Sequence, residues 1–337
     1  MTRKHLFVTC TNSQNLVVDD ILAGVLDGTE EVYLVTNETY HPVNLPESHI
    51  FQLDKIRTKK DYLNQILTRS NRRKITSYFR DLPKTDETVL YVSHFSNIIT
   101  SHVVLNRDRL IGPGKIAIRL IPDGMLSFWP SRRTTPFNRD HLQRWATAVL
   151  TGMTFRPFRG IQSDPFGLAE TIYSYLPNLT NNERNLPILP IPLEQRSVKG
   201  RHFVILGHFN MQALSPEKNV EVSQAMADWI SANRKKGDRI YFKMHPRLAD
   251  IGLDVLYREL VKRIPDMEVL ESKHPLEQMI EEYSLRAILA VASTAMVTVK
   301  LKYGKTVRCV SFGTDAYMGE NYPYYERVFR EAGVELE

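Results

Sequence analysis

Cysteine is scarce in this chain: Cys10 and Cys309 are the only two among 337 residues. Two thiols build no disulfide framework and no structural zinc site, which needs about four nitrogen or sulfur ligands. Both read as reduced cysteines of a cytoplasmic protein. Long apolar runs are lacking too: none reaches the roughly 18 residues that cross a bilayer. The basic start MTRKHLFVTC has too short an apolar stretch for a secretion signal and reads as a first β-strand. The 16 glycines and 18 prolines fall without a period, which excludes a collagen-like chain, and no longer repeat is visible. Three phosphate and nucleophile signatures are missing: G-x-x-x-x-G-K-[ST], G-x-G-x-x-G after the first strand, and G-x-S-x-G. An Asp-x-Asp pair is also absent, and with it the simplest ligand set for a divalent metal that clamps a diphosphate.

What remains is an ordinary globular composition, 42% apolar and 24% charged, with enough apolar surface to fold around. The 44 Lys and Arg against 38 Asp and Glu leave a net charge of +6. That balance admits nucleic acid, anionic lipid or a phosphorylated small molecule as partner. The basic residues are scattered in short runs, Arg69, Arg72, Arg73 and Lys74 in one place and Arg234, Lys235 and Lys236 in another. Each run reads equally as a solvated helix face.

Strand-like and helix-like segments alternate. Residues 5–10, 31–36, 88–93 and 115–121 read as strands, and 15–26, 61–79 and 141–150 as helices, the second of these amphipathic and basic. From Thr154 to Lys199 the periodicity fades and prolines crowd in, which predicts connecting structure. Alternation resumes with strands at 202–206, 239–244, 267–270, 287–292 and 306–312. Helices lie between them at 219–233, around Leu253–Ile264, at 275–283 and at 293–301. The expected fold is α/β, two Rossmann-like parallel-sheet domains facing a cleft. The expected parts are a first domain over 1–185, a linker over 186–199, a second domain over 200–315, and a C-terminal helix over 316–337 that packs back on the first domain.

Ligands of parallel sheets bind beyond the carboxyl ends of the strands, so strand-end residues are the candidates. Asp123, in Ile121-Pro122-Asp123-Gly124, is placed to take a proton from an attacking hydroxyl, and Gly124 lets the backbone turn; Pro-Asp-Gly is equally good turn chemistry. Lys243-Met244-His245-Pro246-Arg247 gathers positive charge around a histidine able to donate to a phosphate or protonate a leaving group. Ser293-Thr294 opens a helix, where hydroxyls either cap the helix or, with its free N–H groups, hold an anion. Gly207 ends a strand before His208-Phe209-Asn210 and permits close approach of a phosphate or sugar. Glu277 opens a helix after Pro275, where it favours the dipole or holds ribose hydroxyls. His94 and Asn97 lie in a polar loop after the strand TVLYV.

The order of these motifs, acidic-Gly, Gly loop, His-Pro, Pro-Leu-Glu and Ser-Thr, resembles that of the bacterial sialyltransferases, both lipooligosaccharide sialyltransferases and capsule polysialyltransferases. The resemblance runs roughly over Leu110–Phe312. It implies a GT-B glycosyltransferase that uses CMP-sialic acid, inverts the anomeric carbon, and needs no metal or other cofactor. By position, Asp123 matches the general base and His245 the histidine on the CMP phosphate. Ser293 and Thr294 match the phosphate-binding hydroxyls, and Gly207, Lys243, Pro246 and Glu277 fall where the nucleotide is held. His94, Asn97 and Gly124 are the acceptor-side candidates. One departure stands out: Pro122 occupies the first acidic position, leaving a single carboxylate. The implied acceptor is a galactose-terminated, free or lipid-linked glycan of a bacterial surface polysaccharide. The implied location is the cytoplasm, soluble or at the inner face of the membrane, with an anionic surface rather than nucleic acid as partner. Two other readings stay open: a GT-B enzyme for another CMP-ulosonic acid or nucleotide sugar, and a nucleic-acid-binding or scaffold protein.

Overall fold

A computed structural model describes the chain apart from residues 1, 57, 113, 129–138, 159–163, 183, 209–213, 246–254 and 271–273. It divides into two compact units, Met1–Pro192 and Leu193–Glu337. The division falls inside the stretch expected as a linker.

The first unit is built on strands Arg3–Thr9 (β1), Glu31–Thr36 (β2), Ile50–Gln52 (β3), Glu87–Val92 (β4), Lys115–Leu120 (β5), Ala169–Ser174 (β6) and Ile188–Pro190 (β7). They form one parallel sheet in the order β3-β2-β1-β4-β5-β6-β7. Its helices are Asn12–Gly24 (α1), Lys59–Thr68 (α2), Ser70–Asp81 (α3), Ile98–Leu105 (α4), Arg107–Ile111 (α5) and Arg139–Thr151 (α6). The central strands are apolar almost end to end because both faces are covered: Leu6, Phe7, Val8, Val89, Leu90, Tyr91 and Val92 are all fully buried. Phe7 stacks on Tyr91 with ring centroids 4.2 Å apart, locking β1 to β4.

The second unit carries His202–Leu206 (β8), Ile240–Lys243 (β9), Glu268–Val269 (β10), Leu285–Ala290 (β11), Arg308–Ser311 (β12) and Glu335–Leu336 (β13). Its parallel sheet has the order β10-β9-β8-β11-β12-β13. The helices are Pro216–Asn233 (α7), Val255–Val261 (α8), Leu276–Glu282 (α9), Thr294–Tyr303 (α10), Thr314–Met318 (α11) and Tyr322–Ala332 (α12). In each sheet the strand order reverses once, between β1 and β4 and between β8 and β11. Helices leave in opposite directions there and open a crevice at the carboxyl ends of those strands.

Several expectations are corrected. The basic segment 61–79 is two helices, because Arg69 adopts a left-handed conformation (φ 51°) between α2 and α3. That break lets buried Asn71 turn inward, where its Oδ1 accepts from the Asp54 N–H at 2.8 Å. The proline-rich stretch expected as connecting structure contains β6 and β7. Pro190 is tolerated because β7 is an edge strand, where a missing N–H breaks no ladder. The C-terminal segment, expected as a single helix, is α11, α12 and β13, and β13 pairs with β12 to complete the second sheet. Helix α4, which falls in a stretch where the alternation assigned no element, is almost wholly buried.

Candidate functional site

In the first unit the strand ends at the switch point converge on Asp123. The carboxyl follows β5; Gly124, next in the chain, takes φ +58° and starts a tight turn over 124–128. That turn brings Ser127 Oγ back to accept from the Asp123 N–H at 2.8 Å. His94, from the loop after β4, sets Nε2 3.1 Å from Asp123 Oδ2, while its Nδ1 meets Ser96 Oγ at 2.7 Å. The amide of Gln14, in the first turn of α1, donates to Asp123 Oδ1 at 2.7 Å. Asp123 therefore has one partner on each oxygen while its side chain keeps 13% of its surface exposed. Burial pushes its pKa up, but the hydrogen bond and charge of His94 and the Gln14 donor outweigh it, and the carboxyl is held below its ordinary value. It is a carboxylate at neutral pH, as a proton acceptor must be. Cys10, in the loop after β1, is no nucleophile here: burial pushes its thiol up to about 12.

His94 also lines a cavity of about 300 Å³ with Ser96, Asn97, Asn37, Gln65 and Arg144. Arg144, on α6, fixes the loop by donating to the Ser96 carbonyl at 2.9 Å. Asn97 lies in this wall, but its Oδ1 accepts from the Ile99 N–H at 2.8 Å and caps α4. Asn37 brings a buried Oδ1 without a hydrogen-bond partner. Asp54 and the apolar side chains of Ile56, Ile98 and Met153 complete a lining of mixed character.

In the second unit Gly207 and Lys243 end adjacent strands: the Gly207 N–H donates to the Lys243 carbonyl at 2.8 Å. Gly207 is buried, and its N–H is spent on the sheet rather than offered to a ligand. Burial pushes the Lys243 ammonium below its ordinary pKa, opposed by the charge of Glu277. Glu277, in the first turn of α9, also accepts from Thr298 Oγ1 at 2.5 Å and so ties α9 to α10. His245, half-buried, lies two residues beyond β9; Pro246, like Arg247, Phe209 and Asn210, lies outside the described residues. Ser293 is the N-cap of α10, yet its side chain makes no cap bond, and Thr294 is the first helical residue. Both are partly exposed, at a helix end whose N–H groups and dipole favour an anion.

Sequence reasoning missed two residues. Gln14 is fully buried, and besides Asp123 it holds Ser93 Oγ (2.7 Å) and the Cys10 N–H (2.7 Å). Its only sequence signal is the capping box Thr11-x-x-Gln14. His208 donates from Nε2 to the Ala292 carbonyl at 2.9 Å and packs edge-on against Tyr317, 4.4 Å between centroids. It ties the loop after β8 to the residue before Ser293. Burial, opposed by that carbonyl, lowers its pKa. Its place beside Gly207 was the available signal.

Residues 161–310, just under half of the chain, match the family model described as Alpha-2,8-polysialyltransferase (POLYST). The match spans Gly207, Lys243, His245, Glu277, Ser293 and Thr294 and stops short of Asp123 on the N-terminal side. No curated protein sequence matches the chain. Among solved structures, a Listeria monocytogenes protein provisionally assigned as a UDP-N-acetylglucosamine 2-epimerase aligns with a TM-score of 0.51 at 10% identity, covering 98% of this chain and 87% of that one. The GT-B domain of a Photobacterium damselae sialyltransferase aligns with a TM-score of 0.47 at 12% identity, covering 100% and 98%. Acinetobacter baumannii MurG gives 0.42 at 12%, covering 99% and 85%. Each unit has a Rossmann-like parallel sheet, and the chain is polysialyltransferase-like over the matched stretch.

Proposed function

We propose that the chain is a sialyltransferase that moves sialic acid from CMP-sialic acid to a galactose-terminated glycan of a bacterial surface polysaccharide, with inversion and without a metal. The observation that carries this reading is the Asp123 carboxylate, held ionised by His94 and Gln14 at the switch point of the first sheet. The family match over the second unit supports it, since the matched stretch contains the nucleotide-side candidates.

In this reading an acceptor hydroxyl attacks the anomeric carbon of the donor, and Asp123 takes its proton. The bond from that carbon to the CMP phosphate oxygen breaks as the new one forms, so the centre inverts. The electron pair leaves with CMP, whose phosphate faces Lys243, the hydroxyls of Ser293 and Thr294 and the start of α10; His245 donates to the phosphate oxygen that leaves. A phosphate leaving group with cationic and N–H partners needs no Lewis acid. His94, Asn97 and Gly124 border the acceptor.

The location that goes with this reading is the inner face of the cytoplasmic membrane. No described helix is long and apolar enough to cross a bilayer. Helix α6 exposes Leu142, Trp145 and Val149, and α2, joined to it by the Tyr62 hydroxyl donating to Thr147 at 3.2 Å, exposes Leu63 and Leu67. Exposed Arg73 and Arg80 on α3 belong to the same unit. Exposed apolar side chains on a unit that also exposes basic ones suit an anionic lipid surface.

The test is incubation with CMP-sialic acid and a panel of galactosides in EDTA. Sialylated product supports the reading. No product with any of them contradicts the acceptor, and a strict metal requirement contradicts the mechanism. Thermal stabilisation by UDP and not by CMP would move the chain to another nucleotide sugar.

A further inference from the structure

We propose that Gln14 is the positioning residue for Asp123, its side-chain amide fixing which face of the carboxylate meets the acceptor hydroxyl; this rests on the reading of Asp123 as the base. The amide has no freedom to turn over. Its Oε1 accepts from the Cys10 N–H at 2.7 Å, and that N–H is fixed by the backbone where β1 passes into α1. The Nε2 group must therefore face the other way, and its two hydrogens go to Ser93 Oγ and Asp123 Oδ1, both at 2.7 Å. An inverted amide would set a carbonyl oxygen against a carboxylate oxygen.

Helix capping explains only part of this. The Thr11 side chain caps α1 by accepting from the Gln14 N–H, whereas the Gln14 side chain reaches past that N-cap residue to the Cys10 N–H. Capping does not require the other end of the amide to cross from the first helix of the unit to the end of β5, 109 residues on. A satisfied buried amide could have used backbone carbonyls; this one spends a donor on a partly exposed carboxylate. With His94 Nε2 on Oδ2, the carboxylate is held at both oxygens, so each keeps lone-pair capacity for a ligand and the plane of the group is fixed.

The test uses the full chain with Gln14→Glu and Gln14→Met. Glutamate keeps the shape and the Cys10 bond but places a second carboxylate against the first. Methionine keeps the volume and removes the donor. Asp123 is read directly by carbon-13 titration of its side-chain carboxyl, assigned by difference from Asp123→Asn. Among the described residues, the titratable groups facing it are His94 from the β4 loop and the Cys10 thiol from the β1 loop. Gln14→Glu is expected to raise the Asp123 midpoint by at least about one pH unit, because two adjacent carboxylates cannot both ionise freely. The acid limb of transfer should move the same way. Gln14→Met is expected to lower kcat about ten- to a hundredfold, the loss of one hydrogen bond to a charged group, with CMP affinity unchanged. An unmoved midpoint in Gln14→Glu overturns the proposal, as does unchanged kcat in folded Gln14→Met, or loss of kcat only in step with melting temperature and CMP binding. Should Gln14→Met not fold, the glutamate titration decides. A moved midpoint in a protein that transfers to no galactoside supports the positioning and contradicts the proposed function instead.

Discussion

Ser293 shows how one atom separates structure from chemistry. An N-cap serine ordinarily contributes about 1 kcal/mol through its side-chain bond, but this one makes no cap bond. Ser293→Ala should therefore leave the unfolding midpoint unchanged while weakening CMP binding, by about tenfold if the hydroxyl donates to the phosphate. Calorimetry with CMP beside a urea titration checks both halves; a loss of stability without a loss of affinity would return Ser293 to a capping role. The strand-end residues of the candidate site were legible because a parallel strand announces its own end: apolar run, then Asp123-Gly124 or His94. Gln14 was not, because its partner lies just beyond β5 and nothing local in Asn12–Gln14 marks a contact so distant along the chain. Asn97, an acceptor-side candidate from its polar loop, lines the cavity and also caps α4, since capping and binding ask for the same side chain.

Among elements, the central strands were readable from their runs of Val, Leu, Ile and Tyr, and most helices from their spacing. Helix α4, Ile98–Leu105, carries apolar residues on nearly every face because it is buried nearly all round, so no period separates it from a loop or a strand. Strands β6 and β7 were hidden by neighbouring prolines. The break at Arg69 depends on Asn71 reaching Asp54, a tertiary contact that no local pattern encodes. Where the second unit begins, Gly200 is required by close approach: a Cβ there would lie 2.4 Å from the Leu285 carbonyl oxygen. Gly200→Ala must push β8 from β11 and should cost about 1–3 kcal/mol, read as a lowered urea midpoint; unchanged stability would mean that this entry to β8 gives way freely.

For the whole molecule, buried histidines set the response to acid. His5 and His102 are almost fully buried, and burial, aided by nearby arginines, lowers each pKa to about 4. Both are neutral in the folded chain below their unfolded value of 6.5, where the unfolded chain gains a proton. Their contribution is complete above pH 6.5 and is lost as pH falls toward 4, by up to about 3 kcal/mol each. Urea unfolding followed from pH 7 to pH 4.5 should show stability falling steadily, with a flatter slope in His102→Gln. A flat profile in the parent protein would contradict the assignment. Asp123 adds the opposite kind of group, a carboxylate that stays ionised through this range, so activity should outlast part of the stability loss as pH falls.

The central claim is that Asp123 takes the proton from the acceptor. The most direct measurement is the rate of sialyl transfer from CMP-sialic acid to lactose in EDTA by the parent protein and by Asp123→Asn, with CMP affinity measured on the same samples. A turnover lower by about two to four orders of magnitude with CMP affinity unchanged is the predicted result. Undiminished turnover in Asp123→Asn, or CMP affinity lost in step with turnover, would contradict it.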